Sequence, residues 1–297
     1  MRPGPSKPKR PLPMRPRPSG SETGRASIPP NFEDPMIDRL EHIAGVLFGL
    51  AAGDRIGGPL NMALTLAESL VERGGFETDA VGRSYYEWWR TDGYDSGPTS
   101  AQVFMCIESG LSFESAAQRV HKIAGEMTAG CNPAHRAAPL AMCMNIDEGE
   151  LAAAAIAEAR LTHLHPLAGD VSAAVVRLCR ALIHGQPWAE ALRSASIDRL
   201  PETCRALKPD HRIVNHPSGF APDVLAAAVR FVDRADCFES AIMESLANDS
   251  GANYVPVLVG SIGGARWGKS AVPCAILGLH FEKMPRLENL IRKLDEQ

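Results

Sequence analysis

The chain has 297 residues, 45% of them apolar, with 31 Lys and Arg against 35 Asp and Glu, a formal charge of −4 and a pI near 6.2. Domains run to roughly 100–200 residues, so this length can bury a large core without disulfide or metal staples. No apolar run reaches the roughly 18–20 residues that a membrane-spanning helix needs, and the mildly acidic balance argues against a general nucleic-acid binder.

Charge is unevenly placed along the chain. Residues 1–34 hold nine prolines, interleaved with Lys7, Lys9, Arg10, Arg15 and Arg17, and almost no large apolar side chains. A segment with no face to bury is predicted to be a disordered Pro/Arg-rich tail. Its Lys-Pro-Lys-Arg-Pro run also has the composition of a nuclear or organellar address. The cysteines number seven, scattered and without a Cys-x-x-Cys pair, and no secretory apolar region opens the chain. Together these features predict reduced thiols and a cytoplasmic protein.

From residue 35 to 297 the pattern is helical. Apolar residues recur at i, i+3, i+4 and i+7 as Leu40, Ile43, Ala44, Leu47, then Ala63, Leu66, Ala67, Leu70, then Val175, Leu178, Cys179, Leu182. The same spacing returns at Val224, Ala227, Ala228, Phe231 and at Leu287, Leu290, Ile291, Leu294. Such stripes predict a helix bundle, and one all-α domain is expected over 35–297. Asp236 with Glu239 reads as a capping box, and Pro187 and Pro222 sit where first helical turns should begin. The nearest β pattern, Val255 to Val259, contains Pro256, which counts against a central strand. Residues 200–222 are turn-rich and predict a long surface loop.

Polar side chains gather in short clusters between these stripes. They are Gly53-Asp54-Arg55-Ile56-Gly57-Gly58-Pro59, Tyr94-Asp95-Ser96-Gly97-Pro98-Thr99, Gly130-Cys131-Asn132-Pro133-Ala134-His135-Arg136 and Thr162-His163-Leu164-His165-Pro166. Each one alone reads equally as turn-forming chemistry or a capped helix end.

In this order and spacing the clusters resemble the ADP-ribosylglycohydrolase family, also known as the dinitrogenase-reductase-activating glycohydrolase or crystallin J1 family. The likeness runs from about Ile37 to Gly268. It includes Gly49-Leu-Ala-Ala-Gly-Asp-Arg-Ile-Gly57, the Met62–Leu70 helix, Arg136 with Pro139, the Thr162–Pro166 motif and Gly260–Gly268. The resemblance implies an all-α orthogonal multi-helix bundle with its site in a cleft at the helix ends. It also implies an ADP-ribose-like small molecule or an ADP-ribosylated substrate as partner.

Departures from the pattern bear on chemistry. The family holds two Mg²⁺ ions through a Thr-Asp-Asp-Thr and an Asp-x-Asp-Thr, where this chain reads Gly57-Gly58-Pro59-Leu60 and Gly251-Ala252-Asn253-Tyr254. Magnesium requires hard carboxylate oxygens, so neither ion, and no other cofactor, is expected. Two readings follow: a metal-independent or metal-degenerate hydrolase of an ADP-ribosyl or related ribosyl-phosphate glycosidic bond, or an inactive relative that binds an ADP-ribose-like ligand or a protein. In the first, Asp54 or Asp95 is the carboxylate that stabilises an oxocarbenium-like state or activates water, and His135 or His165 is the general acid or base. Arg55 and Arg136, with the Gly57-Gly58 backbone, are expected to hold phosphate, and Tyr94 or Tyr254 to stack on a base. Asn61, Gly97, Thr99, Asn132, His163 and Asn253 complete the expected ligand-binding set.

Overall fold

The computed structural model describes residues 35–210, 218–248 and 253–297. In chain order the helices begin with α1 (Pro35–Gly53), α2 (Gly58–Arg73), α3 (Thr78–Thr91), α4 (Pro98–Glu108) and α5 (Phe113–Ile123). Two short helices, α6 (Asn132–Arg136) and α7 (Pro139–Met142), precede α8 (Glu148–Arg160), α9 (Pro166–Ile183), α10 (Trp188–Ser196) and α11 (Pro201–Ala206). The chain continues through α12 (Ala221–Arg234), α13 (Phe238–Asn248) and α14 (Val255–Trp267), then 3₁₀ turns at Lys269–Ala271 and Cys274–Lys283, and ends in α15 (Met284–Asp295).

All five apolar stripes lie on helices, namely α1, α2, α9, α12 and α15. Among the described residues there is no strand, only an isolated antiparallel bridge between Gly130 and Phe220. Val255–Val259 is the first turns of α14, where Pro256 occupies a position that needs no N–H. The capping box expected at Asp236 is displaced by one residue, because α13 starts at Phe238 and the Cys237 carbonyl accepts from Ala241 N at 3.2 Å. The loop expected over 200–222 is shortened by α11; its residues 211–217, like the predicted tail at 1–34, lie outside the described residues.

At the centre, α1 and α14 pack antiparallel with their backbones in contact. A Cβ added to Gly45 would stand 2.1 Å from the Gly264 carbonyl oxygen, one on Gly49 2.0 Å from that of Gly260, and one on Gly53 2.0 Å from that of Pro256. Glycines four residues apart present one face of a helix, so only a side chain of zero size allows this approach. Around this pair α2, α6, α7, α9, α12 and α13 contribute a continuous apolar core that includes Leu47, Leu50, Leu66, Val175 and Leu258, all inaccessible to solvent. A small satellite of Val103, Ala116, Ala117 and Val120 joins α4 to α5. Buried Arg180 on α9 donates to the carbonyls of Leu140, Ala141, Cys143 and Ile146, at 3.2, 2.7, 2.6 and 3.3 Å, and so satisfies the end of α7 and the loop after it.

The helix register therefore has a direct test. Gly49→Ala should cost roughly 1–3 kcal/mol by overpacking, seen as a lower melting temperature. Gly149→Ala, where an added Cβ meets nothing within 4 Å, should leave the melting temperature unchanged or raise it.

Candidate functional site

The α1–α14 pair ends where the polar residues begin. Asp54 directly follows α1 and Asn253 lies just before α14, so the glycine contact sets one against the other. The Asp54 carboxylate accepts four N–H groups: Ile56 N at 3.0 Å, Gly57 N at 2.7 Å and Asn253 Nδ2 at 2.8 Å on Oδ1, and Leu60 N at 2.8 Å on Oδ2. Asn253 in turn accepts from Arg55 N at 3.0 Å. Three of these donors belong to the turn that opens α2, so Asp54 satisfies the helix N-terminus from within the protein. Asp54 is 1% exposed, with three N–H groups on Oδ1 and one on Oδ2. The sequence expectation of a catalytic carboxylate here is corrected to that of a buried organiser.

The second cluster folds over that turn. A Cβ on Gly58 would lie 2.1 Å from the Asp95 carbonyl oxygen, and one on Gly57, whose φ is +116°, 2.5 Å from the Tyr94 hydroxyl. Asn61 Nδ2 donates to the same hydroxyl at 3.1 Å. Asn132 at the start of α6 donates from Nδ2 to the Ser96 carbonyl at 3.1 Å, and a Cβ on Gly97 would meet that Nδ2 at 2.5 Å. Asp95 stands exposed in this rim with φ +54°, a left-handed conformation rare outside glycine, Asn and Asp. Partial burial and then the neighbouring Asp54 charge raise its pKa, while the Gly58 N–H works in the opposite direction. Arg55 is exposed and Thr99 half-buried at the same edge.

His135 closes the floor. It is buried, its ring stacks on that of Tyr254 with centroids 6.4 Å apart, and its Nε2 has no hydrogen-bond partner. Burial lowers its pKa to about 4, against the opposing pull of Asp54 and the Tyr254 carbonyl. An unpaired buried nitrogen costs roughly 1–3 kcal/mol, and His135 Nε2 is one of several such atoms among the described residues. On the far side of the Gly130–Phe220 bridge lies an open cavity of about 680 Å³, lined among others by Glu126, Gly130, His165, Gly219 and Phe220. Gly219 joins the two regions, since a Cβ there would meet the Tyr254 ring at 3.1 Å. His165 is half-buried and caps α9, accepting Leu167 N at its Nδ1 at 3.2 Å, which leaves Nε2 as the protonated nitrogen. It belongs to this cavity and not to the Asp95 rim.

Arg136 is not where a phosphate clamp must be. Its side chain is fully buried, with Nε on Glu158, Nη2 on Thr162 Oγ1 at 2.9 Å, and Nη1 3.3 Å from Asn132 Oδ1 and 3.4 Å from Ser100 Oγ. The Tyr85 ring covers the guanidinium at 4.9 Å, and the Tyr85 hydroxyl donates to the same Glu158 oxygen at 2.8 Å. Burial alone would lower the Arg136 pKa, and Glu158 and Tyr85 together more than offset it. The expected clamp is corrected to an internal strut. His163, expected to bind ligand, is buried behind it: the Thr162 hydroxyl accepts from Arg136 and shares a hydrogen bond of 2.8 Å with His163 Nδ1. Burial and the Arg136 charge lower the His163 pKa to about 3. Its Nε2 faces Gly130, where a Cβ would stand 3.2 Å away.

The donors at hand do not fit a pair of magnesium ions. Among the described residues no group of three or more His, Cys, Asp or Glu side chains could hold a metal, and Asp54 already accepts four N–H groups. A hard dication needs several free oxygens in near-octahedral array.

The fold is that of the ADP-ribosylglycohydrolase class. The model of the family described as ADP-ribosylglycohydrolase matches residues 60–297, and the chain belongs to that family. Among solved structures it is similar to an "ADP-ribosylglycohydrolase-related protein complex", with a TM-score of 0.74 and 23% identity over 88% of this chain and 99% of that one. At that identity the likeness speaks for the fold. No curated protein sequence matches the chain.

Several partners escaped the sequence reading. Glu158 carried a signal, being a lone carboxylate on the buried face of α8 beside Leu151, Ala154 and Ala155, where a charge requires a buried cation. Gly219 and His280 carried none, because only distant packing brings them to Tyr254 and to the Asp54 carbonyl.

Two measurements test this electrostatic picture. Arg136→Met leaves Glu158 buried and unpaired, and chemical denaturation should show a loss of roughly 3–5 kcal/mol, part of which the double variant with Glu158→Leu restores. The histidines act through pH. With pKa values held near 4 and 3 in the folded chain against 6.5 otherwise, the unfolded chain takes up protons first as pH falls. Stability present above pH 6.5 is therefore lost as pH drops toward 4. Thermal melts across that window should show the decline, and His135→Asn should flatten it.

Proposed function

We propose that the protein hydrolyses the glycosidic bond of an ADP-ribosyl or closely related ribosyl-phosphate group without metal assistance. Asp95 carries this reading: an exposed carboxyl on a loop in left-handed geometry, over the start of α2, with its pKa raised by partial burial and by Asp54. An upward shift is the direction that suits a general acid. In the forward step Asp95 protonates the leaving atom as its bond to the ribose anomeric carbon breaks. The Asp95 carboxylate then takes a proton from the water whose oxygen bonds to that carbon. Partial burial and then the fixed negative charge of Asp54 move the Asp95 pKa upward, and Asn132 and Tyr94 hold the rim in place. The unpaired Nε2 of His135 offers a neutral hydrogen-bonding contact to the ligand.

The nucleotide portion then extends past Gly219 into the cavity of about 680 Å³, a volume in the range of small-molecule sites. Phe220 and Met127 provide apolar surface there, and His165 a donor. Phosphate recognition falls to Arg55 at the exposed edge, since Arg136 is committed to Glu158.

Asp95→Asn should lower kcat by roughly 10²–10⁴-fold while leaving ADP-ribose affinity within a small factor of the parent. Release of ADP-ribose from a modified acceptor, alongside calorimetric titration of ADP-ribose, measures both. An unaffected rate in Asp95→Asn would overturn the assignment. The buried Asp54, holding four N–H groups, favours one competing reading, a protein that binds without turnover. A parent that binds ADP-ribose yet leaves the glycosidic bond intact would select it.

A further inference from the structure

Asp54 is held by more than its own loop. Its N–H completes α1 by bonding Leu50 O at 2.9 Å, and its carboxylate is filled from the start of α2 and from Asn253. Its carbonyl is met by His280 Nε2 at 2.6 Å, from a 3₁₀ segment 226 residues further along the chain. A carbonyl oxygen only accepts, so His280 carries its proton on Nε2. The segment Cys274–Lys283 is shaped for this contact. Its backbone breaks from helical geometry at His280, with φ −120° and ψ 16°. His280 is buried, whereas Leu279 and Phe281 on either side are 68% and 78% exposed. One polar side chain is thus inserted into the turn that carries Asp54, and its two neighbours remain outside.

We infer that His280 is a positioning residue of the catalytic rim, fixing the Asp54 turn and through it the Asp95 carboxyl. The route is short: His280 to the Asp54 carbonyl, the Asp54 carboxylate to the amides of Gly57 and Leu60, and Gly58 between them against Asp95. The inference rests on the hydrolase reading for its kinetic consequence only. Its structural content, that the C-terminal 3₁₀ segment sets the order of the Asp54 turn, stands apart from turnover.

The experiment has arms that separate these two levels. In the full chain, amide exchange at Ile56, Gly57 and Leu60 should be about tenfold faster in His280→Leu, with exchange in α9 unchanged, and should return toward parental rates in His280→Gln, whose amide N–H reaches a similar position. In the hydrolysis assay His280→Leu should lower kcat about tenfold or more with KM within about twofold, and His280→Gln should recover most of it. Equal protection of the three amides in His280→Leu and the parent overturns the inference, whatever the activity. A parent without hydrolysis, but with faster exchange in His280→Leu, removes the catalytic reading and leaves the positioning of Asp54 standing. Nitrogen-15 spectra of the parent add a check independent of any variant's folding: they should show the Nε2–H form at His280, and a neutral Nδ1–H form overturns the inference.

Discussion

The contact on which everything else depends is the backbone approach of α1 and α14 through Gly45, Gly49, Gly53, Gly260 and Gly264. Two helices that touch through glycine have no room to slide or rotate, because any side chain at the contact would fall within 2.1 Å of a carbonyl oxygen. The antiparallel register so fixed brings the end of α1 to the start of α14. Asp54 and Asn253, 199 residues apart, meet there at 2.8 Å. An anion and its donors are assembled by packing, and the loop conformation that exposes Asp95 follows from them.

Charge is distributed in two layers. The inner layer is buried and paired: Arg136 with Glu158 Oε1, Tyr85 and Thr162, and Arg180 with the carbonyls after α7, while Glu158 Oε2 has no hydrogen-bond partner. Such ions would be costly alone, and they are tolerated because partners surround them. The outer layer holds the exposed Asp95 and Tyr94, with the buried His135 behind them, whose Nε2 has no hydrogen-bond partner. The N-terminus of α2, which in other settings would attract a phosphate, is already occupied by Asp54.

Histidines illustrate how burial sorts identical side chains into different duties. His163 completes a hydrogen-bond chain that starts at Glu158 and runs through Arg136 and Thr162. His165, two residues on, caps α9 and faces the large cavity. His280 holds a carbonyl, and His135 keeps a nitrogen unpaired inside the cleft. The neutral form of His135 and His163 follows from desolvation in both cases.

The helices, their apolar faces and the family pattern were legible from spacing, because a 3.6-residue repeat and short polar motifs are local properties of a chain. So was the gathering of most polar clusters at helix ends, where loops must be. What each member of those clusters does was not. Arg136 in an Asn-Pro-Ala-His-Arg segment has the same local chemistry whether it meets phosphate or Glu158, and only the placement of α8 beside α6 made it a strut. Asp54 likewise reads as a free carboxylate until the α1–α14 contact supplies Asn253 and the α2 turn supplies its amides. The sequence by itself determined the helical bundle and the set of polar residues at its ends. Tertiary structure alone decided which of them are consumed internally and which stay exposed, because burial and partner supply depend on residues far apart in the chain.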